Sequence, residues 1–225
     1  EIDFIQTIKP ARQLHQTPNL FVCNPARHVI LKIWWFLYQP ICMGFTKQHL
    51  QHHTNMITSV VFHSILPLLA TSSYDVIIYN LTTFPPNIQD QLQDHTEYVA
   101  CVAFHPNQPL LGTCSEDATA IIYDLSTSPP TIQQHLKDHT SGVHSIAFHL
   151  SFSLLVTGSN DCTAIVYDLK TIPATIQHHL KNNQLGILTV AFHPCLLVVA
   201  TGSWDKSVIL YDICTSPSIL RHHLN

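Results

Sequence analysis

The stretch "LLVTGSNDCTAIVYDL", Leu154 to Leu169, sets two short apolar runs around a polar centre and closes on a Tyr-Asp pair. Aliphatic and β-branched residues broken by Gly-Ser-Asn-Asp read as two antiparallel strands and their turn. Alone this is one hairpin. It decides the fold because it recurs. "LLATSSYD", "LLGTCSED", "LLVTGSND" and "VVATGSWD" put a turn aspartate at Asp75, Asp117, Asp161 and Asp205, the last three 44 residues apart and the first 42 before the second. Upstream of each stands a strand-like string: "ITSVVFH", "VACVAFHP", "VHSIAFHL" and "ILTVAFHP". Downstream come "VIIYNL", "TAIIYDL", "TAIVYDL" and "SVILYDI", then "NIQDQL", "TIQQHL", "TIQHHL" and "SILRHHL". Asp75 to Tyr79 is four residues where the other units have six, so the first unit's two-residue shortfall lies in one hairpin.

Each unit therefore holds four short strands, and no ten-residue window keeps a 3.6 period free of Pro. One such sheet cannot bury both faces by itself; repeated radially, each sheet packs on its two neighbours. The expected fold is all-β, a β-propeller of four-stranded antiparallel blades. Four are clear, at residues 53–94, 95–138, 139–182 and 183–225. Residues 1–52 lay onto the same four strand slots as a degenerate fifth blade, the alternative being an irregular extension. Five blades close poorly, so the expectation is part of a larger propeller in a longer protein, or a degraded gene product.

The bulk numbers narrow the function. At 225 residues, 46% hydrophobic and 11% charged, the chain reads as compact and ordered. A net charge of −4 offers no basic patch, so nucleic acid is not an expected partner. The 17 histidines make the charge steeply dependent on mild acid. Seven cysteines, at 23, 42, 101, 114, 162, 195 and 214, form no C-x-x-C pair. Their odd number argues against a disulfide scaffold and for an intracellular compartment, cytoplasmic or nuclear. The chain opens on Glu1 without a secretory leader pattern and reads as a fragment. The most apolar window, "HVILKIWWFLYQPICMGF" (His28 to Phe45), holds Lys32 and Pro40 and fails as a membrane helix, so no membrane is expected.

These units resemble WD-repeats. The resemblance rests on fixed offsets: His53, His95 and His139 lie 22 residues before the turn aspartate, and Thr71, Thr113, Thr157 and Thr201 lie four before it. Tyr123, Tyr167 and Tyr211 lie six after it, with Tyr79 their counterpart in the first unit. The family implies a hydrogen-bonded tetrad of His, Ser or Thr, Asp and Trp at these positions. Four departures stand out. Tyr replaces Trp in every unit, Asn183 replaces His in the fourth, and Asn80 replaces the signature Asp in the first. The Gly expected after the aspartate is Ala118, Cys162 or Lys206, which disfavours positive φ there. The shortened hairpin is expected to leave Tyr79 out of reach of its partners.

Catalysis finds little support: His95, Thr113 and Asp117 mimic a hydrolase triad, yet the same set returns 44 residues on. The histidine clusters, His49-His52-His53, His178-His179 and His222-His223, fall on the outermost strand and read as a solvated edge instead of a metal site. No cofactor is expected. His63, His105, His149 and His193 each follow a Phe at the end of the innermost strand and are expected to bond within the turn. What remains is binding. In the family, partners dock on the loops before the first strand and between the second and third. That implies a rim of Met56, Tyr98, Gly142 and Gly186 with Tyr74, Glu116, Asn160 and Trp204, residue types that make interface hot spots. The expected function is a non-catalytic scaffold for protein or peptide partners, as a subunit of a multiprotein complex. A sharper alternative is a substrate receptor of a cullin-RING ubiquitin ligase. "LVTGSNDCTAIVYDLK" resembles the adaptor-docking motif at Leu155, Val156, Thr157, Gly158, Ser159, Asp161, Tyr167, Asp168 and Lys170, with Lys where Arg is preferred.

Overall fold

In the computed structural model the chain divides into two compact units, Glu1–Pro40 and Ile41–Asn225. The structure describes residues 49–215 and the strand 219–224, all in the second unit. The expected degenerate blade, but for residues 49–52, lies outside the described residues, as do the window at 28–45 and the side chains of His222 and His223.

Four antiparallel sheets are described. The first comprises β1 (Ser59–Phe62), β2 (Leu68–Ser72), β3 (Val76–Asn80) and β4 (Asn87–Leu92). The second comprises β5 (Val99–Phe104), β6 (Leu110–Ser115), β7 (Ala120–Asp124) and β8 (Thr131–Leu136). The third comprises β9 (Val143–Phe148), β10 (Leu154–Ser159), β11 (Ala164–Asp168) and β12 (Thr175–Leu180). The fourth comprises β13 (Ile187–Phe192), β14 (Val198–Ser203), β15 (Val208–Asp212) and β16 (Ile219–Leu224). Each is a meander in chain order, the arrangement of a propeller blade. No helix among the described residues is long and apolar enough to cross a membrane.

The second and third strands of the first three blades are buried almost throughout. They read as unbroken apolar runs because both faces are buried, in the second and third blades against the blades on either side. Along β6, Leu110 and Cys114 join the third blade's Val143 and Ile146, while Leu111 joins the first blade's Leu68 and Ile78. The fourth strand is wetter, and its register shifts opposite the bond before Tyr79, Tyr123, Tyr167 and Tyr211 in every blade. One extra residue there (Gln89, Gln133, Gln177 or Arg221) forms a bulge, a device that re-aims nearby side chains.

The histidine after each first strand caps its turn. His63 Nδ1 accepts the Ile65 and Leu66 N–H groups, each at 3.0 Å, and His105, His149 and His193 repeat the pattern on Asn107-Gln108, Ser151-Phe152 and Cys195-Leu196. An Nδ1 that accepts carries no proton, so these rings serve as neutral imidazoles. Three of them also pack on the next blade's phenylalanine, with centroids 5.0–5.1 Å apart in His63–Phe104, His105–Phe148 and His149–Phe192.

Ala118, Cys162 and Lys206 correct an expectation: they hold φ of 67°, 69° and 71° despite their side chains. Asp117 and Asp161 enforce the turn, each carboxylate accepting both N–H and hydroxyl from Thr119 or Thr163, at 2.9 and 2.6 Å. A left-handed conformation costs a non-glycine residue about 1–2 kcal/mol. Lys206→Gly, at an exposed site, should therefore stabilise by about 0.5–1 kcal/mol after glycine's unfolded-state entropy is deducted, read by denaturant melts.

Burial holds the pKa values of His63, His105 and His149 below the ordinary 6.5. The unfolded chain then binds more protons, so stability is complete above pH 6.5 and is lost as pH falls below it. Thermal melts from pH 8 to 5 should show a midpoint that is flat above 7 and drops steeply below 6.5; a midpoint unchanged down to pH 5 would contradict this.

Candidate functional site

Three blades assemble the same cluster. His95 Nδ1 donates to Asp117 at 2.9 Å, and its Nε2 accepts from the Thr113 hydroxyl at 2.8 Å. His139 binds Asp161 and Thr157 at the same two distances, and His53 binds Asp75 and Thr71 at 2.6 and 2.7 Å. In the first blade the missing two hairpin residues take the turn hydroxyl with them, and Gln91 Nε2 donates to Asp75 instead, at 2.6 Å. In the fourth, Thr201 donates to Asn183 Oδ1 at 3.1 Å, while Asn183 Nδ2 is buried without a partner among the described residues. Asp205 takes the Gln184 and Ser207 N–H groups, both at 2.9 Å. Burial raises the Asp161 carboxyl, but hydrogen bonds from Thr163, the Thr140 N–H and His139 outweigh it and bring the pKa down to about 2. For Asp205 the Ser207 hydroxyl is the main cause of a similar drop to about 2.

The tyrosines are fully buried beside these clusters. Their hydroxyls bond to a position that sequence reasoning missed, the residue immediately before each histidine. Tyr123 donates to Asp94 at 2.9 Å and Tyr167 to Asp138 at 3.2 Å. Tyr79 meets His52 Nδ1 at 3.1 Å, so the expectation that it falls short is overturned. The strand pairing keeps it in register, Leu69 opposite Tyr79 as Leu111 is opposite Tyr123, so the loss stays in the loop. Tyr211 has Asn182 at the equivalent place, and its buried hydroxyl has no partner among the described residues. The "DH" dipeptides at 94–95 and 138–139 are the signal that was available.

The His-Thr-Asp connectivity is that of a hydrolase triad, yet its chemistry is sealed. Thr113 and Thr157 have no exposed surface, so no substrate carbonyl reaches either hydroxyl. No group of three or more His, Cys, Asp or Glu is placed to hold a metal among the described residues. The solvated-edge reading of the histidine clusters needs two corrections. His178 is buried, pointing inward beside the Ile213 backbone, while His179 faces solvent. His49, His52 and His53 lie in the segment before β1 and not on an outer strand, His53 buried against Asp75 and Thr71 and His52 bonded to Tyr79. Cys101, Cys114, Cys162 and Cys195 are free thiols.

The rim residues form one continuous row. Tyr74 stacks on Tyr98, with ring centroids 3.8 Å apart and planes at 28°. The Glu116 N–H donates to the Tyr98 carbonyl at 2.9 Å, and Glu116 lies over Gly142. The Asn160 N–H donates to the Gly142 carbonyl at 2.8 Å, Asn160 lies over Gly186, and the Trp204 N–H donates to the Gly186 carbonyl at 3.0 Å. Links inside a blade thus alternate with links between blades. A Cβ on Gly142 would lie 3.2 Å from the Glu116 Cα, and one on Gly186 3.0 Å from the Asn160 Cα, so a side chain at either site would turn the Glu116 or Asn160 side chain aside and push its loop by a few tenths of an ångström. Tyr74, Glu116, Asn160, Trp204 and Met56 are exposed, and Tyr98 is half-buried. His144 Nδ1 lies 3.2 Å from the Glu116 carboxylate.

The ligase-adaptor residues are placed differently. Leu155, Val156, Thr157, Gly158, Ser159 and Tyr167 are buried in β10 and β11. Only Lys170 is exposed, its Nζ 3.9 Å from the partly buried Asp168.

The tyrosine bonds predict opposite outcomes for one substitution. Tyr167→Phe removes a bond from a buried hydroxyl to the exposed Asp138 carboxylate, which water then solvates, and should destabilise by about 0.5–1.5 kcal/mol, the net worth of an ordinary hydrogen bond. Tyr211→Phe removes a hydroxyl that bonds to nothing described and should be neutral or stabilising. Urea melts of the two variants give the comparison.

A family model described as WD domain, G-beta repeat matches residues 44–75, 87–124, 130–168 and 171–212, more than half of the chain. No curated protein matches it. With threonine and aspartate at fixed offsets in four blades and histidine in three, the chain belongs to the WD40 repeat family.

Proposed function

We propose that this chain is a non-catalytic scaffold that holds a protein or peptide partner along the row from Tyr74 to Trp204. WD40 repeats generally mediate protein–protein interaction. The observation that supports the reading for this chain is the row itself: exposed aromatic side chains at both ends, on loops tied to one another blade by blade. Tyr and Trp are enriched among hot spots, and a surface already ordered loses little entropy on binding. Its Tyr74 end is acidic. The Glu97 charge acts on the Tyr74 phenol, and Glu116 lies two steps along. Stacked tyrosines beside carboxylates favour a segment carrying Lys or Arg, held by cation–π contact.

The ligase-receptor reading has less support, because the residues that resemble the docking motif are mostly core. Its remaining exposed element is Lys170.

Peptides selected from a random display library on the full chain should be enriched in Lys or Arg. The double variant Tyr74→Ala with Trp204→Ala should weaken them at least tenfold while leaving the thermal midpoint unchanged. Selected peptides that bind the double variant as tightly as the parent would sink the proposal. A large loss of thermal stability would make both residues structural.

A further inference from the structure

At one equivalent place in each described blade, the first and second strands set two residues directly opposite each other: Ser59–Ser72, Cys101–Cys114, Ser145–Gly158 and Thr189–Gly202. Among these blades only the second places sulfur there, and it does so on both strands. Directly opposed residues of an antiparallel pair share one face of the sheet. Cys101 and Cys114 accordingly pack in one cluster with Val143 and Ile146 of the third blade. An antiparallel pair sets opposed Cα atoms about 4.5–5.5 Å apart, inside the range of about 4.4–6.8 Å that a disulfide spans.

The two sulfurs differ in surroundings. Cys114 has no exposed surface, whereas Cys101 is partly exposed. The Cys114 thiol donates to the Cys101 sulfur, which also takes hydrogen bonds from the Ile146 N–H and the Ser59 hydroxyl. The Ile146 bond repeats, in sulfur, the 3.1 Å link from the Val190 N–H to the Ser145 hydroxyl oxygen one blade on. These donors, the Cys114 thiol foremost, outweigh burial and bring the Cys101 pKa down to about 6. Burial first, then the bond to Cys101, pushes the Cys114 thiol well up. A partly exposed thiolate therefore touches a sealed thiol, the arrangement of a redox-sensing cysteine and its resolving partner.

We propose that Cys101 and Cys114 are a peroxide-responsive pair that closes to a disulfide within the second blade. The Cys101 thiolate attacks one oxygen of hydrogen peroxide; the O–O bond breaks, and the departing hydroxide takes up the proton that the thiol gave up, forming water. Cys101 is then a sulfenic acid. The Cys114 sulfur attacks that sulfur, the S–O bond breaks, and the Cys114 proton leaves with hydroxide as a second water. The two thiols lose two electrons and the peroxide gains them; an external dithiol reverses the bond by exchange. A disulfide sulfur accepts hydrogen bonds less well than a thiolate, so closure ties β5 to β6 and weakens the link to Ile146. This inference does not rest on the binding reading.

Trypsin cuts after Lys47 and Lys137 and nowhere between, so one peptide carries Cys101 and Cys114 and no other cysteine; the peptide ending at Lys206 carries only Cys195. The full native chain is exposed to hydrogen peroxide at neutral pH, capped with N-ethylmaleimide in urea, digested and weighed by mass spectrometry. The first peptide should return two hydrogens lighter and uncapped, at least about tenfold faster than the exposed Cys195 loses its cap. Dithiothreitol should restore both caps. Cys114→Ser should stop at the Cys101 sulfenic acid, captured by dimedone, and Cys101→Ser should leave Cys114 reduced. Serine stands at both equivalent places in the first blade, so both variants suit the fold. Two caps on the first peptide after Cys195 has been consumed would overturn the proposal. So would a pair that closes as fast in urea as in the native chain, or a Cys101→Ser chain whose Cys114 still oxidises.

Discussion

A four-stranded sheet that is apolar on both faces has no stable existence alone, and the burial of each blade's faces by its neighbours is what the rest of this molecule depends on. Ile77, Ile121 and Ile165 lie on one side of their blades, Ile78, Ile122 and Val166 on the other, and all are essentially inaccessible. Full burial of one such side chain is worth about 1.5–3 kcal/mol, so the central strands outweigh any single polar contact. That explains why the third strands of the first three blades read "VIIY", "AIIY" and "AIVY" without polar alternation. Two solvent-free faces demand it.

The polar clusters serve that packing. Each ties the segment entering a blade to its second strand and second hairpin, through a histidine whose two nitrogens are both engaged. Two departures from the repeat signature, usually G-H…W-D, resolve into one interaction. Tyr stands where Trp is usual, and Asp94 or Asp138 stands where Gly is usual before the histidine. The phenol needs an acceptor beyond the threonine, and the added carboxylate provides it. The fourth blade has the tyrosine without the carboxylate, and there the hydroxyl is left over.

How much of this was legible follows from which interactions are local. The period, the strands and the His-Thr-Asp clusters rest on offsets within one repeat, and Asp117, Asp161 and Asp205 announce them by recurring at equal spacing. Departures were harder to interpret. Ala118, Cys162 and Lys206 were expected to avoid positive φ because they carry side chains, but the preceding aspartate, whose carboxylate accepts from the residue that follows, holds the turn more strongly than a Cβ resists it. Tyr79 was expected to fall short because loop length was taken to set its position; strand pairing sets it instead. Gly142 and Gly186 gave no sign of their role, since the groups that would crowd a Cβ lie on the preceding blade. The row was legible as positions but not as a connected surface, because half its links cross between blades.

Those crossings join recognition to packing. Within a blade, the backbone bonds from Glu116, Asn160 and Trp204 fix each loop to its own sheet. Between blades, the row holds only while Glu116 stays over Gly142 and Asn160 over Gly186, which requires the blades below to keep their spacing. Spacing is set in turn by the buried strands and by histidines such as His105, which cap one blade's turn and rest on the next blade's phenylalanine. A change that loosens a join therefore disturbs the rim above it without touching a rim residue. Conversely, the exposed Trp204 ring can change without cost to the joins, because its loop is held by main chain, the Trp204 N–H donating to the Gly186 carbonyl. A surface of this kind can vary its partner while the scaffold beneath stays constant.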